Sequence, residues 1–544
     1  MSWCLCDQGL YRSYRLCNAH DVPCVACIKL EQEEARLLKA KAALEEQLER
    51  CRAARTVVNH SHDRIISRLP QELVSLAFGY CFPPVMQRSS LTSFPADFAR
   101  QVAGRVLLGS ICREWRRMAW STPWLWTELG ISLNNVKDDS WHLEFVRDWL
   151  KRSGGLPLSL SVTCLWRKNG DTIRIKALID EFNHVSDRWD SLEVKDARDV
   201  HLPFFKASSS AKPTLRTLTI TGDFDSEDER KFSVFENQVK PEVVVLKGLS
   251  IQAVNVSWER VTSLSLYGRE TIECVDVLGS APNLQVLALD LSMVPWHTIR
   301  SVARPIKHSK VRDLKITEQY YEGFNAVLGS AVFPGLINLT TTNCLAIEPL
   351  ASFLRRSGCR LKSLAVNASL FAAEELIPLL ELTPDITLLE LQPEIGAYGM
   401  PDVLFQRLAK TAIFPSSENS TDDKRFLPNL RHLIYNAAHL HCSWDRNRFM
   451  NWDAIVPVFG PLSELANPRR RPLQTLEMYF KQGGVGHGPY FLEEERIYSF
   501  LDVLDAGLDL RMKYIEDGAD VLTAAQEILV RREEILRMYP SSPI

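Results

Sequence analysis

The sequence lacks any apolar run near the ~18 residues that would span a bilayer, so no membrane contact is expected. Its opening, Met1 to Arg15, has no apolar signal core, so secretion is not expected either. It also lacks a charge excess. The 64 Lys and Arg face 67 Asp and Glu, a formal net charge of −3, which gives no general pull toward phosphate backbones and argues against nucleic acid as the main partner. Compositional bias is absent too. Of 544 residues, 46% are hydrophobic and 24% charged, which excludes disordered, collagenous and mucin-like chains. The 13 cysteines are odd in number and mostly single within apolar patterns. They read as reduced, buried, small hydrophobes of a cytoplasmic or nuclear chain. No Ser/His/Asp, Cys/His or paired-carboxylate arrangement stands out, so the chain is expected not to be an enzyme.

What is present falls into stretches of different texture. Residues 1–27 form a Cys-rich tail. Within it Cys17-x2-His20-x3-Cys24-x2-Cys27 has the short ligand spacing that wraps a tetrahedral zinc, with Cys4-x-Cys6 just upstream. The block resembles the middle of a RING finger, but the final Cys pair of that family is missing, so direct ligase activity is not expected. A structural zinc at the N-terminus would tie a segment too small to fold alone; a tail of reduced thiols is the plain alternative. No other cofactor is required.

Residues 28–66 contain neither Gly nor Pro and are rich in Leu, Ala, Glu and Arg, which predicts one long helix. Leu30, Leu37, Leu44, Cys51, Val58 and Ile65 recur every seven residues. The companion seam (Glu33, Ala40, Gln47, Ala54) offers poor knobs, so only a weak coiled coil is expected. Self-association through 30–58, packing of one stripe on the chain's own domain, and a solvated spacer are the alternatives.

Residues 156–540 carry a repeat. The pattern L-x-x-L-x-L recurs at Leu215/Leu218/Ile220, Val261/Leu264/Leu266, Leu284/Leu287/Leu289, Val311/Leu314/Ile316 and Leu336/Leu339/Thr341. It continues at Leu361/Leu364/Val366, Ile386/Leu389/Leu391, Leu430/Leu433/Tyr435 and Leu473/Leu476/Met478. From Val261 to Ile386 the first positions step by 23, 27, 25, 25 and 25 residues. A period near 25 is that of leucine-rich repeats, whose units run about 20–29 residues. The flanking gaps of 46, 44 and 43 residues are doubled or stretched units, with Val243/Leu246 a degenerate unit inside the first. No unit can bury its own apolar face, so stacking is expected to line short parallel strands into one curved sheet with helices behind. Leu508, Leu510, Met512 and Tyr514 alternate like a last strand, and Ala519–Met538 reads as a cap helix with Leu522, Ile528 and Ile535 inward. Arg469-Arg470-Arg471 between two prolines reads as a solvated loop able to touch an acidic partner. Gly483–Gly488 and His439-x-His441-Cys442 read as loop and strand-edge residues.

Residues 67–133 carry the most specific signal. Leu69-Pro70-Gln71-Glu72-Leu73 opens a helix pattern, Ile111-Cys112-Arg113-Glu114-Trp115-Arg116-Arg117-Met118-Ala119 follows, and Thr122-Pro123-Trp124-Leu125-Trp126 closes it. The segment resembles an F-box, with its three blocks in order and an insertion at 85–106. Long Leu-rich helix, stretched F-box and degenerate repeats occur in this order in fungal F-box proteins. The resemblance implies docking to a Skp-family adaptor of an SCF-type cullin–RING ubiquitin ligase, through or supported by Leu69, Pro70, Leu73, Ile111, Cys112 and Trp115. It also implies that the repeat array holds a target protein for ubiquitin transfer.

The expected architecture is therefore α/β: an N-terminal helix and a small helical F-box, then an irregular leucine-rich-repeat-like solenoid. The expected function is a substrate receptor in the ubiquitin pathway. The alternatives are a non-ligase interaction scaffold built on the array and a zinc-dependent ligase or redox protein run from residues 4–27. The target-binding residues are not identified by the sequence.

Overall fold

The structure is a computed structural model. It describes residues 25–62, 69–81, 95–132, 141–163, 172–197, 202–207, 215–222, 234–268, 271–291, 306–317, 321–344, 347–368, 373–393, 400–414, 425–436, 452–480, 492, 494–515, 517–527 and 530. It divides into two compact units, Met1–Trp126 and Thr127–Ile544.

The first unit is helical. The Gly- and Pro-free stretch forms α1, Val25–His62. Three helices follow: α2 (Gln71–Tyr80), α3 (Pro95–Ile111) and α4 (Arg113–Trp120), then a 3-10 turn at Pro123–Trp126. Helix α3 begins inside the insertion and runs unbroken into the second motif block, so residues 95–106 of that insertion are helical.

The second unit holds a single fourteen-stranded parallel sheet. Its strands in chain order are β1 (Glu128–Ser132), β2 (Leu158–Thr163), β3 (Trp189–Ala197), β4 (Thr217–Gly222), β5 (Val243–Lys247), β6 (Ser263–Tyr267) and β7 (Val286–Asp290). Then come β8 (Asp313–Thr317), β9 (Asn338–Cys344), β10 (Ser363–Ala368), β11 (Leu388–Pro393), β12 (His432–Asn436), β13 (Thr475–Phe480) and β14 (Asp509–Tyr514). Spatial order equals chain order, and every pairing is parallel. Each strand therefore returns through a crossover on one side: a helix in most repeats, 3-10 turns or a short ribbon in the rest. The sheet begins at Glu128, upstream of the repeats legible in the sequence.

Register makes this a solenoid. Leu129, Leu160, Leu192, Leu218, Val244, Leu264, Leu287, Leu314, Leu339, Leu364, Leu389, Leu433, Leu476 and Leu510 stand opposite one another along the whole sheet. All fourteen are buried. A second interior row lies two residues on in each strand, as strand alternation requires, and its polar members are Thr341 and Tyr435. Burial pushes the Tyr435 phenol far up, with Asp402 adding to the shift. The turn before each strand is also repeated. One backbone carbonyl accepts two N–H groups of the next unit, as Gln285 does from Arg312 (2.8 Å) and Asp313 (3.0 Å). The Asn that precedes β7 donates back one unit, from Asn283 Nδ2 to Glu259 O at 2.7 Å.

The register resolves the irregular gaps. The 46-residue gap holds two units, because β5 lies between β4 and β6. Val244 rather than Leu246 takes the first interior row there, two residues earlier than the L-x-x-L reading placed it. The two later gaps are single stretched units, since β11 pairs directly with β12 and β12 with β13. Leu522 is buried in the helical turns at 521–527, as the cap reading expects; Ile528 and Ile535 lie outside the described residues.

The stretched units are sewn together by Arg471, which corrects its reading as a solvated residue. The side chain is buried and donates to the carbonyls of Leu408 (2.7 Å), Thr411 (3.0 Å), Phe426 (2.9 Å) and Leu427 (3.2 Å), and to Thr411 Oγ1 (2.6 Å). Leu408 and Thr411 belong to the C-terminal end of α5 (Met400–Lys410) and the turn after it. These carbonyls have no helical partner, and a planar fork of five N–H groups satisfies them together. Leu427 holds φ 44, a strained value for a leucine, while its carbonyl faces the guanidinium. Burial first, and Arg470 second, push Arg471 down to about 10, so it stays charged at neutral pH. Arg471→Met strips the donors from these buried acceptors. It is expected to cost about 3–5 kcal/mol, read as a lower urea midpoint, while Arg469→Met on the exposed neighbour shifts stability by under about 0.5 kcal/mol.

Candidate docking surface on the helical unit

Helices α2, α3 and α4 carry the motif residues. Pro70 ends the approach to α2 with φ −53 and ψ 146, and its carbonyl accepts from Leu73 N (3.0 Å) and Val74 N (3.2 Å). Proline suits this place because the first turn of a helix has no internal use for its N–H. Helix α4 starts at Cys112, which is extended (φ −154, ψ 171) and turns its Sγ to accept from Trp115 N at 3.4 Å. The thiol does the work of a Ser or Asp cap, so the Cys-x-x-Trp spacing is a helix start. Arg116 Nε donates to Gly109 O (2.6 Å), closing the end of α3, and its guanidinium lies 5.7 Å from the Trp120 ring.

The faces of α2 then divide. Val74, Ser75 and Phe78 turn inward. Phe78 stacks against Trp115 with ring centroids 5.0 Å apart and is 2% exposed. Phe78 lies on the same inner face as Val74, which is one helical turn before it. Ser75 and Thr122 hydroxyls meet at 2.8 Å, Thr122 donates on to Met118 O (2.7 Å), and Trp126 Nε1 donates to Ala119 O (2.8 Å). Gly79 lies where a Cβ would strike the Trp124 ring, so that indole crosses α2 at close range.

The opposite face of α2 carries Leu73, Leu76 and Tyr80, with Leu69 just before it. Leu73 and Leu76 are 50% and 51% exposed, and Tyr80 more so. On α3, Val106, Leu107 and Ile111 are exposed as well. Six or more large apolar side chains on so small a helical unit mark a surface that wants a partner. The sequence-derived residues thus fall into two sets. Leu69, Pro70, Leu73 and Ile111 are exposed, whereas Cys112 caps α4 and Trp115 packs on Phe78. Leu76, Tyr80 and Leu107 escaped the motif reading; the i+3 and i+7 steps from Leu73 were the signal available for the first two.

Cys17, His20 and Cys24 lie outside the described residues, and Cys27 is described only as part of the backbone of α1. His439, His441, Cys442 and Gly483–Gly488 also lie outside them.

A second arrangement lies on the outer strand face of β12–β14. Glu477 Oε2 accepts from Tyr479 OH (2.7 Å), and its Oε1 accepts from Arg511 Nη1 (3.0 Å) and lies 3.3 Å from His432 Nε2. Arg511 also pairs with Asp509 (2.6 Å). Burial alone would raise the Glu477 carboxyl, but Tyr479, His432 and Arg511 outweigh it and hold it below the usual range. His432, Glu477 and Arg511 are far apart in sequence and meet only through strand register.

No known protein family matches the sequence by its family profile, and no curated protein matches it. Among solved structures, the complex of Rad7 and Elc1 in yeast is similar at 12% identity and a TM-score of 0.34, over 77% of this chain and 96% of that one.

Two outcomes follow from this geometry. Phe78→Ala removes a buried ring and is expected to cost the helical unit about 3–5 kcal/mol, read by hydrogen exchange of α2 and α4. Glu477 adds stability above the ordinary carboxylate pKa of about 4.3, and that contribution is lost as pH falls through its lowered folded value. Glu477→Gln is therefore expected to flatten the acid limb of the array's stability profile below about pH 4, measured by urea titration across pH.

Proposed function

We propose that this chain is the substrate-recognition subunit of an SCF-type cullin–RING ubiquitin ligase. The observation that carries the reading is the two-sided construction of the F-box-like unit. Its motif residues Cys112, Trp115 and Phe78 set the helices, and Leu69, Leu73, Leu76, Leu107 and Ile111 are left outward and exposed. Under this reading the outward leucines dock a Skp-family adaptor, through which the cullin complex is reached. The strand face of the array holds a target protein, and the chain acts as a receptor with no catalytic residue of its own. Its contribution to ubiquitin transfer is proximity: a bound target presents its lysines at high effective concentration to the conjugating enzyme. Work in the cytoplasm or nucleus fits this role.

The test is co-purification of the full chain with a Skp adaptor, wild type against Leu73→Glu/Leu76→Glu. Each buried leucine contributes about 1.5–3 kcal/mol, so capture is expected to fall at least tenfold, with circular dichroism unchanged. Trp115→Ala is the contrasting variant, expected to lose capture together with helix packing. Failure of a folded wild type to capture any adaptor overturns the reading and leaves an interaction scaffold built on the array.

A further inference from the structure

Helix α1 spans 38 residues, and every side chain described from Ile28 to Val58 is exposed. A helix with no buried side chain is held only by propensity and by i,i+3 and i,i+4 pairs, and a single helix in water is marginal. Those pairs are present: Arg36 with Glu33, Lys41 with Glu45, Arg50 with Glu46 and Arg52 with Glu49. The heptad row Leu30, Leu37, Leu44, Cys51 and Val58 is nevertheless open along its whole length.

The flanking charges select what covers it. With that row as position a, the d row is Glu33, Ala40, Gln47 and Ala54. The e row is Glu34, Lys41, Leu48 and Arg55, and the g row is Lys29, Arg36, Ala43, Arg50 and Val57. A parallel pair in register sets g against e five residues on, which places Arg36 against Lys41 and Arg50 against Arg55, twice each. An antiparallel pair sets a against d, e against e and g against g. With Leu44 across from Gln47, no like charges meet along the described helix: Glu34 faces Arg55, Lys41 faces Leu48, and Arg50 faces Ala43. Shifting this register one heptad either way restores a clash, Lys41 with Lys41 and Arg36 with Arg50 in one direction, Lys41 with Arg55 and Arg50 with Arg50 in the other. Among the described residues, neither Glu34 nor Arg55 takes part in the ion pairs along the helix. The poor companion seam now has a use. Leu37 falls opposite Ala54 and Cys51 opposite Ala40, large against small, which lets two backbones approach closely.

We propose that α1 pairs antiparallel with α1 of a second copy of this chain, with Leu44 of each across from Gln47 of the other. Such a pairing presents two helical units and two arrays from one assembly, whatever those units bind.

Light scattering on the purified full chain is expected to give a dimer. Leu37→Glu/Leu44→Glu is expected to weaken it at least tenfold, with the thermal unfolding of the array unchanged. Glu34→Arg weakens it as well, and Glu34→Arg/Arg55→Glu restores it. Orientation is read by disulfide trapping and peptide mapping: A40C links to Cys51 of the second copy, while wild-type Cys51 does not link to itself. A monomeric wild type, a dimer that survives Leu37→Glu/Leu44→Glu, or a Cys51-to-Cys51 link in the wild type overturns the proposal.

Discussion

The second unit depends on one row of side chains. The fourteen aliphatic residues from Leu129 to Leu510 lie opposite one another across every strand pair. Strand register is weakly specified by backbone hydrogen bonds, because a slip preserves most of them. It is strongly specified when a slip moves an apolar set to water. Each leucine in the row therefore serves two repeats, its own and the next, and no unit can be removed without exposing its neighbours. This explains why loops of very different length are tolerated between strands. The crossover is free to be a helix, 3-10 turns or a ribbon so long as the next leucine returns to its place.

That freedom has a local cost, which the stretched units meet with polar chemistry. Long excursions after α5 leave helix-end carbonyls and turn carbonyls under the surface, and an apolar residue cannot satisfy them. Arg471 can, and it does so without a carboxylate. Glu477 plays a different part on the outer face, linking β12, β13 and β14 through His432, Tyr479 and Arg511. Both sites lie in the C-terminal third, where the spacing of the repeats is least regular.

The helical unit follows the opposite logic. Its inner contacts include Phe78 on Trp115, Ser75 on Thr122, Trp126 on Ala119, and Cys112 as a cap. They help fix the directions of α2, α3 and α4. Leucines that a self-sufficient domain would bury remain outside, which is the property the proposed receptor role requires. Helix α1 carries the same feature further, with all of its described apolar row exposed.

The period near 25 and the L-x-x-L-x-L rows determined the array, its parallel strands and most of its interior, because every unit repeats the same local pattern and the pattern carries its own burial. Leu69, Leu73 and Ile111 were singled out by the F-box resemblance, whose motif can be read from short sequence blocks, and all three are exposed. Other features were decided only by tertiary structure. Val244 rather than Leu246 joined the first interior row because its neighbours Leu218 and Leu264 set the register. Phe78 turned inward because Trp115, thirty-seven residues later, came to lie against it. Arg471 was buried because carbonyls from Leu408 to Leu427 converged on one point, and Glu477 met His432 and Arg511 across strands. Local pattern declares which residues seek burial. Which polar group they carry inside, and what it bonds there, depends on segments that only the folded chain brings together.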